Sequence, residues 1–175
     1  MQSSQMYPQG SGGIKSRYVG SSLVFYHPTT NAELFRINPS VSGGYVMPGM
    51  EKHIRTRFTI AQVNAGATLL AAVTGFKYRM LSCKAISVGG AAGAVTTVDV
   101  LATQGAASVK LVAYAQASLT RSAVLTDGDA ASAVLADGAS YVQNDAATAI
   151  TVGKTGASVT TATHIDILFS YCLEA

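Results

Sequence analysis

The residues able to do chemistry are few and widely spaced. The three histidines, His27, His53 and His164, lie far apart, and none has a metal-ligand neighbour at helical spacing. His164 and Asp166, two apart in an alternating run, share one strand face. Such a pair suits one arm of a metal site or an acid/base couple, but the expectation is a solvated polar pair on a sheet edge or rim. No H-E-x-x-H, C-x-x-C or EF-hand pattern occurs.

Three further stretches contain pieces of known motifs. Asp127-Gly128-Asp129 is a D-x-D that binds Ca²⁺ when a loop supplies further oxygens; the twelve-residue loop is absent, so a solvated turn is expected. Gly153-Lys154-Thr155-Gly156 contains the end of a phosphate loop, but the glycine needed five residues earlier is Thr148. Its Lys-Thr-Gly also lacks the S-x-x-K and S-D-N partners of a serine β-lactamase. The two glycines are expected to turn a hairpin. There is no G-x-S-x-G nucleophile elbow, and Asp99, Asp137, Asp145 and Glu174 are isolated carboxylates mostly beside turns. The chain reads as a non-enzyme with no catalytic, cofactor-binding or metal-binding residues.

The elements that must position these residues are strands. Short alternating runs of Val, Ile, Ala and Thr, punctuated by Gly, Asp and Asn, fill the last two-thirds of the chain. Strands are predicted over 58–63, 68–73, 77–88 (long enough to bend or bulge), 95–103, 109–114, 118–125, 140–143, 147–152 and 164–172. The Ala-rich stretch 129–136 suits one helical turn rather than a strand. The near-repeat Leu125-Thr126-Asp127-Gly128 and Leu135-Ala136-Asp137-Gly138 puts Asp-Gly twice where a turn needs positive φ. This pattern predicts an all-β chain with low helix content, a jelly-roll-like antiparallel β-sandwich over 58–175.

Residues 1–57 precede it as an N-terminal arm, a β-hairpin and a Gly/Pro connector. Residues 1–22 are Gly- and Ser-rich and cannot bury enough apolar surface to fold alone. Two β-rich runs around Pro28-Thr29-Thr30-Asn31 predict a hairpin over 22–37, and 38–50 is the connector. Most aromatic side chains fall before residue 60, as does a net charge of +4 against −1 for the remainder. Aromatics and arginines on a segment without its own core suit an anchor onto another, acidic protein. The cations are too scattered for a phosphate-tracking stripe, so no nucleic-acid partner is expected.

Composition limits the class further. Of 175 residues only 12% are charged and 49% are hydrophobic, a surface suited to coverage by partner subunits, so an oligomer is expected. No apolar h-region opens the chain and no run approaches a membrane span, so neither a secretory signal nor a membrane partner is expected. Cys83 and Cys172 sit in apolar runs and read as buried reduced thiols.

Several stretches carry a resemblance. They are 66–79 from Gly66-Ala67-Thr68-Leu69-Leu70, 93–100 from Gly93-Ala94-Val95-Thr96-Thr97, 135–140, 145–156, and a closing strand through Phe169 and Tyr171. In order and style this resembles small virion proteins of tailed bacteriophages, which include capsid decoration (cement) proteins and head-fibre bases. The resemblance covers roughly 58–173 and involves no invariant motif. It implies a homotrimeric jelly roll on the outer capsid surface of a virion, made in the host bacterial cytoplasm, that bridges major capsid protein subunits. On that reading Tyr7, Lys15, Arg17, Tyr18, Phe25, Tyr26, Phe35 and Arg36 are the candidate capsid-binding residues, and no cofactor is implied. A phage tail or fibre component contacting a receptor and a carbohydrate-binding β-sandwich are the alternatives; the first lacks a heptad shaft and the second lacks tryptophan.

Overall fold

The computed structural model describes residues 14–20, 22–37, 45–46, 49–93 and 95–174. It is 53% strand and 8% helix with antiparallel sheets, an all-β sandwich. The chain divides into two compact units, Met1–Met50 and Glu51–Ala175. Residues 51–57, expected in the leading part, therefore belong to the sandwich.

The first unit holds β1 (Lys15–Val19), β2 (Ser22–Tyr26), β3 (Glu33–Ile37) and β4 (Tyr45–Val46), an antiparallel sheet in that order. The predicted hairpin is β2–β3. Its turn is closed by the His27 N–H on the Ala32 carbonyl at 2.8 Å, with Asn31 at φ 54°. The imidazole of His27 accepts from the Thr29 and Thr30 N–H groups, so this histidine serves the turn. The arm expected over 1–22 is in part a strand: Lys15–Val19 pairs with β2 in register from Lys15↔Tyr26 to Val19↔Ser22.

In the second unit, β5 (Lys52–Thr59), β7 (Lys77–Val88), β10 (Leu125–Thr126) and β13 (His164–Glu174) form a four-stranded sheet in the order β10-β7-β13-β5. A five-stranded sheet has the order β11-β9-β8-β12-β6, from β6 (Ala67–Leu70), β8 (Val95–Gln104), β9 (Ala107–Ala115), β11 (Ser132–Val134) and β12 (Ile150–Gly156). Period-two alternation builds the core. Ile165, Ile167, Phe169, Tyr171 and Leu173 of β13 are buried, as are Tyr78, Met80, Cys83 and Ala85 of β7. From the five-stranded sheet, Val98, Val100, Val112, Tyr114, Ile150 and Val152 are buried too. Each buried Val, Ile, Leu, Met or Phe among them contributes on the order of 1.5–3 kcal/mol. A register shift between Ser170 and Tyr171 passes over Leu81 and bulges β7, as its length suggested.

Several local expectations are corrected. The alternation read over 58–63 ends at Thr59, and Ile60–Ala65 is a helix, α1. A capping box decides this: the Thr59 hydroxyl accepts the Gln62 N–H while the Gln62 side chain accepts the Thr59 N–H. Of 118–125 only Leu125 enters a strand, because the Ser118 and Leu119 N–H groups turn back onto the Ala115 carbonyl. Ser132–Val134, read as helical, instead pairs with β9. Residues 140–143, read as a strand, are not one: Ser140 and Tyr141 end a 3-10 segment, Ala136–Tyr141, where the buried Ser140 hydroxyl donates to the Leu111 carbonyl at 2.6 Å. Gly153-Lys154-Thr155-Gly156 is not a hairpin turn but part of β12, with Gly153 opposite Asp99. Gly90 serves close approach, since a Cβ there would lie 2.7 Å from the Thr161 carbonyl oxygen.

Candidate functional site

The outer face of the four-stranded sheet gathers residues from opposite ends of the second unit. Alternation sends His53, Arg55 and Arg57 of β5 outward, since the interleaved Phe58 is core and Ile54 and Thr56 are half-buried. From β13 the same face receives His164, Asp166, Leu168 and Ser170, and from β7 it receives Ser82, Lys84 and Ile86. The register orders them in rows across the three strands. Arg57–Asp166–Ile86 is followed by Arg55–Leu168–Lys84 and then His53–Ser170–Ser82.

Asp166 anchors the array. Its carboxylate is 2% exposed and receives Arg57 Nε on Oδ1 at 2.7 Å, Arg57 Nη2 on Oδ2 at 2.9 Å and Arg55 Nη2 on Oδ2 at 2.5 Å. These hydrogen bonds, Arg57's foremost and Arg55's with it, together with the two positive charges, outweigh burial and hold the carboxyl down at about 2. The guanidiniums themselves are half or more exposed. One buried anion thus orients two surface cations, with a net positive charge left over. Asp166 is on an internal strand, so the expected edge or rim placement of the His164/Asp166 pair is corrected. His164 shares the face but meets the Thr163 hydroxyl at 3.1 Å.

Beside the array lies a cleft of about 440 Å³ bordered by Glu51, His53, Arg55, Ser82, Lys84, Leu168 and Ser170. His53 Nδ1 meets the Ser170 hydroxyl at 2.8 Å, and its Nε2 lies 3.6 Å from Glu51 Oε1. These are the residue types of an activated serine, yet His53 and Glu51 are largely solvated and their separation exceeds a hydrogen bond. Ser170 lies on a strand paired on both sides, which commits the neighbouring backbone N–H groups to the ladders. The arrangement is equipped to bind through charge and hydroxyls. Sequence reading missed it because residues 51–57 were assigned to the leading arm; the alternation His53-x-Arg55-x-Arg57 was the available signal.

The other motif fragments are absorbed by the fold. Asp127 accepts the Cys83 N–H at 2.8 Å and the Tyr141 hydroxyl at 2.5 Å, and the latter bond pushes the Tyr141 phenol up to about 12. Asp129 accepts the Thr126 N–H at 3.3 Å, so of the D-x-D carboxylates Asp129 closes the turn and Asp127 ties it to β7 and Tyr141. Asp145 caps the Gly105 and Ala106 N–H groups, and Glu174 pairs with Arg79 at 2.8 Å. Among the described residues no group of three metal-ligating side chains forms. Cys83 and Cys172 are free and buried on opposite faces of the four-stranded sheet; burial pushes the Cys83 thiol up to about 12 and raises that of Cys172.

On the outer face of the five-stranded sheet, Asp99 is 1% exposed. Its Oδ2 accepts the Thr155 hydroxyl at 2.7 Å and lies 3.2 Å from Lys110 Nζ, while Oδ1 has no hydrogen-bond partner among the described residues.

The residues read as an anchor in the first unit are divided by its register. Arg17 crosses to Tyr26, with Nε 3.1 Å from the hydroxyl and Cζ 4.6 Å from the ring centre, and Lys15 reaches Asn31 Oδ1 at 3.4 Å. Tyr18 alternates to the other face, where it is 66% exposed, and Phe25 shares that side. Phe35 and Arg36 take backbone places in β3 opposite Phe25 and Val24, but their side chains lie outside the described residues, as does Tyr7 altogether.

The fold and these sites define an antiparallel β-sandwich with a separate small β-sheet unit. Compared with known proteins, the chain matches no family model, no curated protein and no solved structure.

Proposed function

We propose that this chain is a structural virion protein of the capsid-decoration kind, attaching to the outer surface of a phage shell and bridging its major capsid protein subunits. The observation that carries the reading is the first unit's surface. Its four-stranded sheet leaves Tyr18, Val19, Leu34 and Ile37 exposed among the described residues. Small sheets with apolar side chains in water are marginal alone and are completed by a partner surface. The resemblance in residues 58–173 supplies the kind of partner, and the low-charge sandwich suits packing between copies in a homotrimer. Residues Lys15, Arg17, Tyr18, Phe25 and Tyr26 supply the contact on this reading, with Tyr7, Phe35 and Arg36 assigned to it from sequence.

Co-sedimentation of the full chain with expanded phage shells tests it, together with the solution mass by light scattering. A trimer that sediments with shells, and loses them in the variant Tyr18→Ser/Leu34→Ser, is the expected result. A chain indifferent to shells overturns the capsid reading, and unchanged attachment by the variant overturns the anchor.

A further inference from the structure

We propose that the outer face of the four-stranded sheet is a docking site for an acidic peptide segment, whose Asp or Glu carboxylates engage Arg55 and Lys84 at the cleft and Arg57 in the row beside it. The inference is independent of the capsid reading and rests on the second unit alone. Arg55, Arg57 and Lys84 stand in two neighbouring rows here against the buried Asp166 and the exposed Glu51, and Arg79 farther along the sheet is paired with Glu174. Arg55 uses one nitrogen, Nη2, on that carboxylate, and its side chain is 63% exposed, so most of its donor fork faces solvent. A guanidinium presented this way matches a carboxylate in two-pronged geometry. Lys84 is exposed across β13 from Arg55, and Leu168, 42% exposed, lies between them. Leu168 gives the methylene stem of a Glu an apolar floor, while Ser82 and Ser170 add hydroxyls at the cleft wall.

Charge chooses among anions. Glu51 stands at the same cleft and opposes a continuous polyanion, and the cations are confined to two neighbouring rows. A nucleic acid needs several phosphates neutralised along a track. An extended peptide bearing a few carboxylates matches a short array held rigidly by strands.

The experiment measures fluorescence anisotropy of labelled hexaglutamate with the full chain at low ionic strength. Arg55→Gln/Lys84→Gln is compared with Arg121→Gln/Lys154→Gln, which removes the same charge elsewhere in the sandwich. Affinity is expected to fall about tenfold or more in the first variant and to stay near wild type in the control. Amide shifts of the unaltered protein on titration with hexaglutamate should concentrate in β5, β7 and β13, a readout that needs no variant. Absence of binding, equal loss in both variants, or shifts centred elsewhere overturns the proposal. Tighter binding of a labelled single-stranded DNA of equal charge, lost in the same variant, overturns it in favour of nucleic acid.

Discussion

Each outer face of the sandwich buries one carboxylate, and the two are treated differently. Asp166 sits under Arg55 and Arg57 with both oxygens engaged by planar guanidinium forks. Asp99 has a hydroxyl and an ammonium on a single oxygen, and the other oxygen has no partner among the described residues. Burying a charge costs several kcal/mol unless its lone pairs are matched. The first arrangement meets that requirement and leaves cations over for the surface; the second meets it in part. The lesson is that donor geometry, rather than burial or nominal pairing, separates a stabilising buried ion from a marginal one.

The largest expected effect is on Asp166→Asn. Removing the carboxylate leaves two guanidiniums facing each other without their anion, and urea unfolding should show a loss of about 3 kcal/mol, moderated by the arginines' exposure. Loss below half of that would break the contrast between the faces.

Acid should show nearly as much. The Asp166 carboxyl titrates near 2 in the fold, against an ordinary value of 3.8, so its contribution is complete above about pH 4 and is lost as pH falls toward 2. Unfolding midpoints measured across that window should drop by the equivalent of about 2 kcal/mol in the wild type. Asp166→Asn should lack this component, and parallel acid limbs for the two proteins would reassign the titration elsewhere.

Asp99→Asn sharpens the comparison from the other side. The substitution relieves an under-solvated charge while Lys110, 41% exposed, can turn to water. A change within about 1 kcal/mol of wild type is expected in the same urea experiment. A loss matching that of Asp166→Asn would show that both carboxylates are held alike.

The smallest effect is expected from Gly153→Ala beside Asp99. A Cβ there would lie 3.3 Å from Leu101 Cδ1, the tip of a half-buried side chain that can yield, and a strand gains from replacing glycine. The thermal midpoint should correspond to a change within about 0.5 kcal/mol. A clear loss would mean that the Asp99 face is packed as rigidly as the core.

Much of the fold was legible because strand alternation is a local code. The run 77–88 reproduces β7, and the closing run from His164 is extended to Glu174 in β13. Two errors fell where a side chain bonds to nearby backbone, at Thr59 with Gln62 and at Ser140 with Leu135, and others where backbone turned or paired instead, at 118–119 onto Ala115 and at 132–134 onto β9. The candidate site was legible only in fragments. Asp166 was visible with His164 as a face pair, but its cationic partners lie 109 and 111 residues earlier, in a segment assigned to the arm.

By itself the sequence determined the class of structure: alternating β-branched and polar residues, glycine turns and few charges admit an antiparallel sandwich and little helix. It also determined which face a residue occupies within each unbroken stretch of strand, since the period of two is a property of the extended backbone, while the shifts at Leu81 and Leu111 came from the pairing. Only the tertiary structure decided which strands are neighbours, and with that which charges meet. Placing β13 between β5 and β7 set Asp166 beneath Arg55 and Arg57 and opened the cleft beside Lys84. Pairing between distant strands depends on the shared packing of their buried faces, and no local spacing along the chain encodes it.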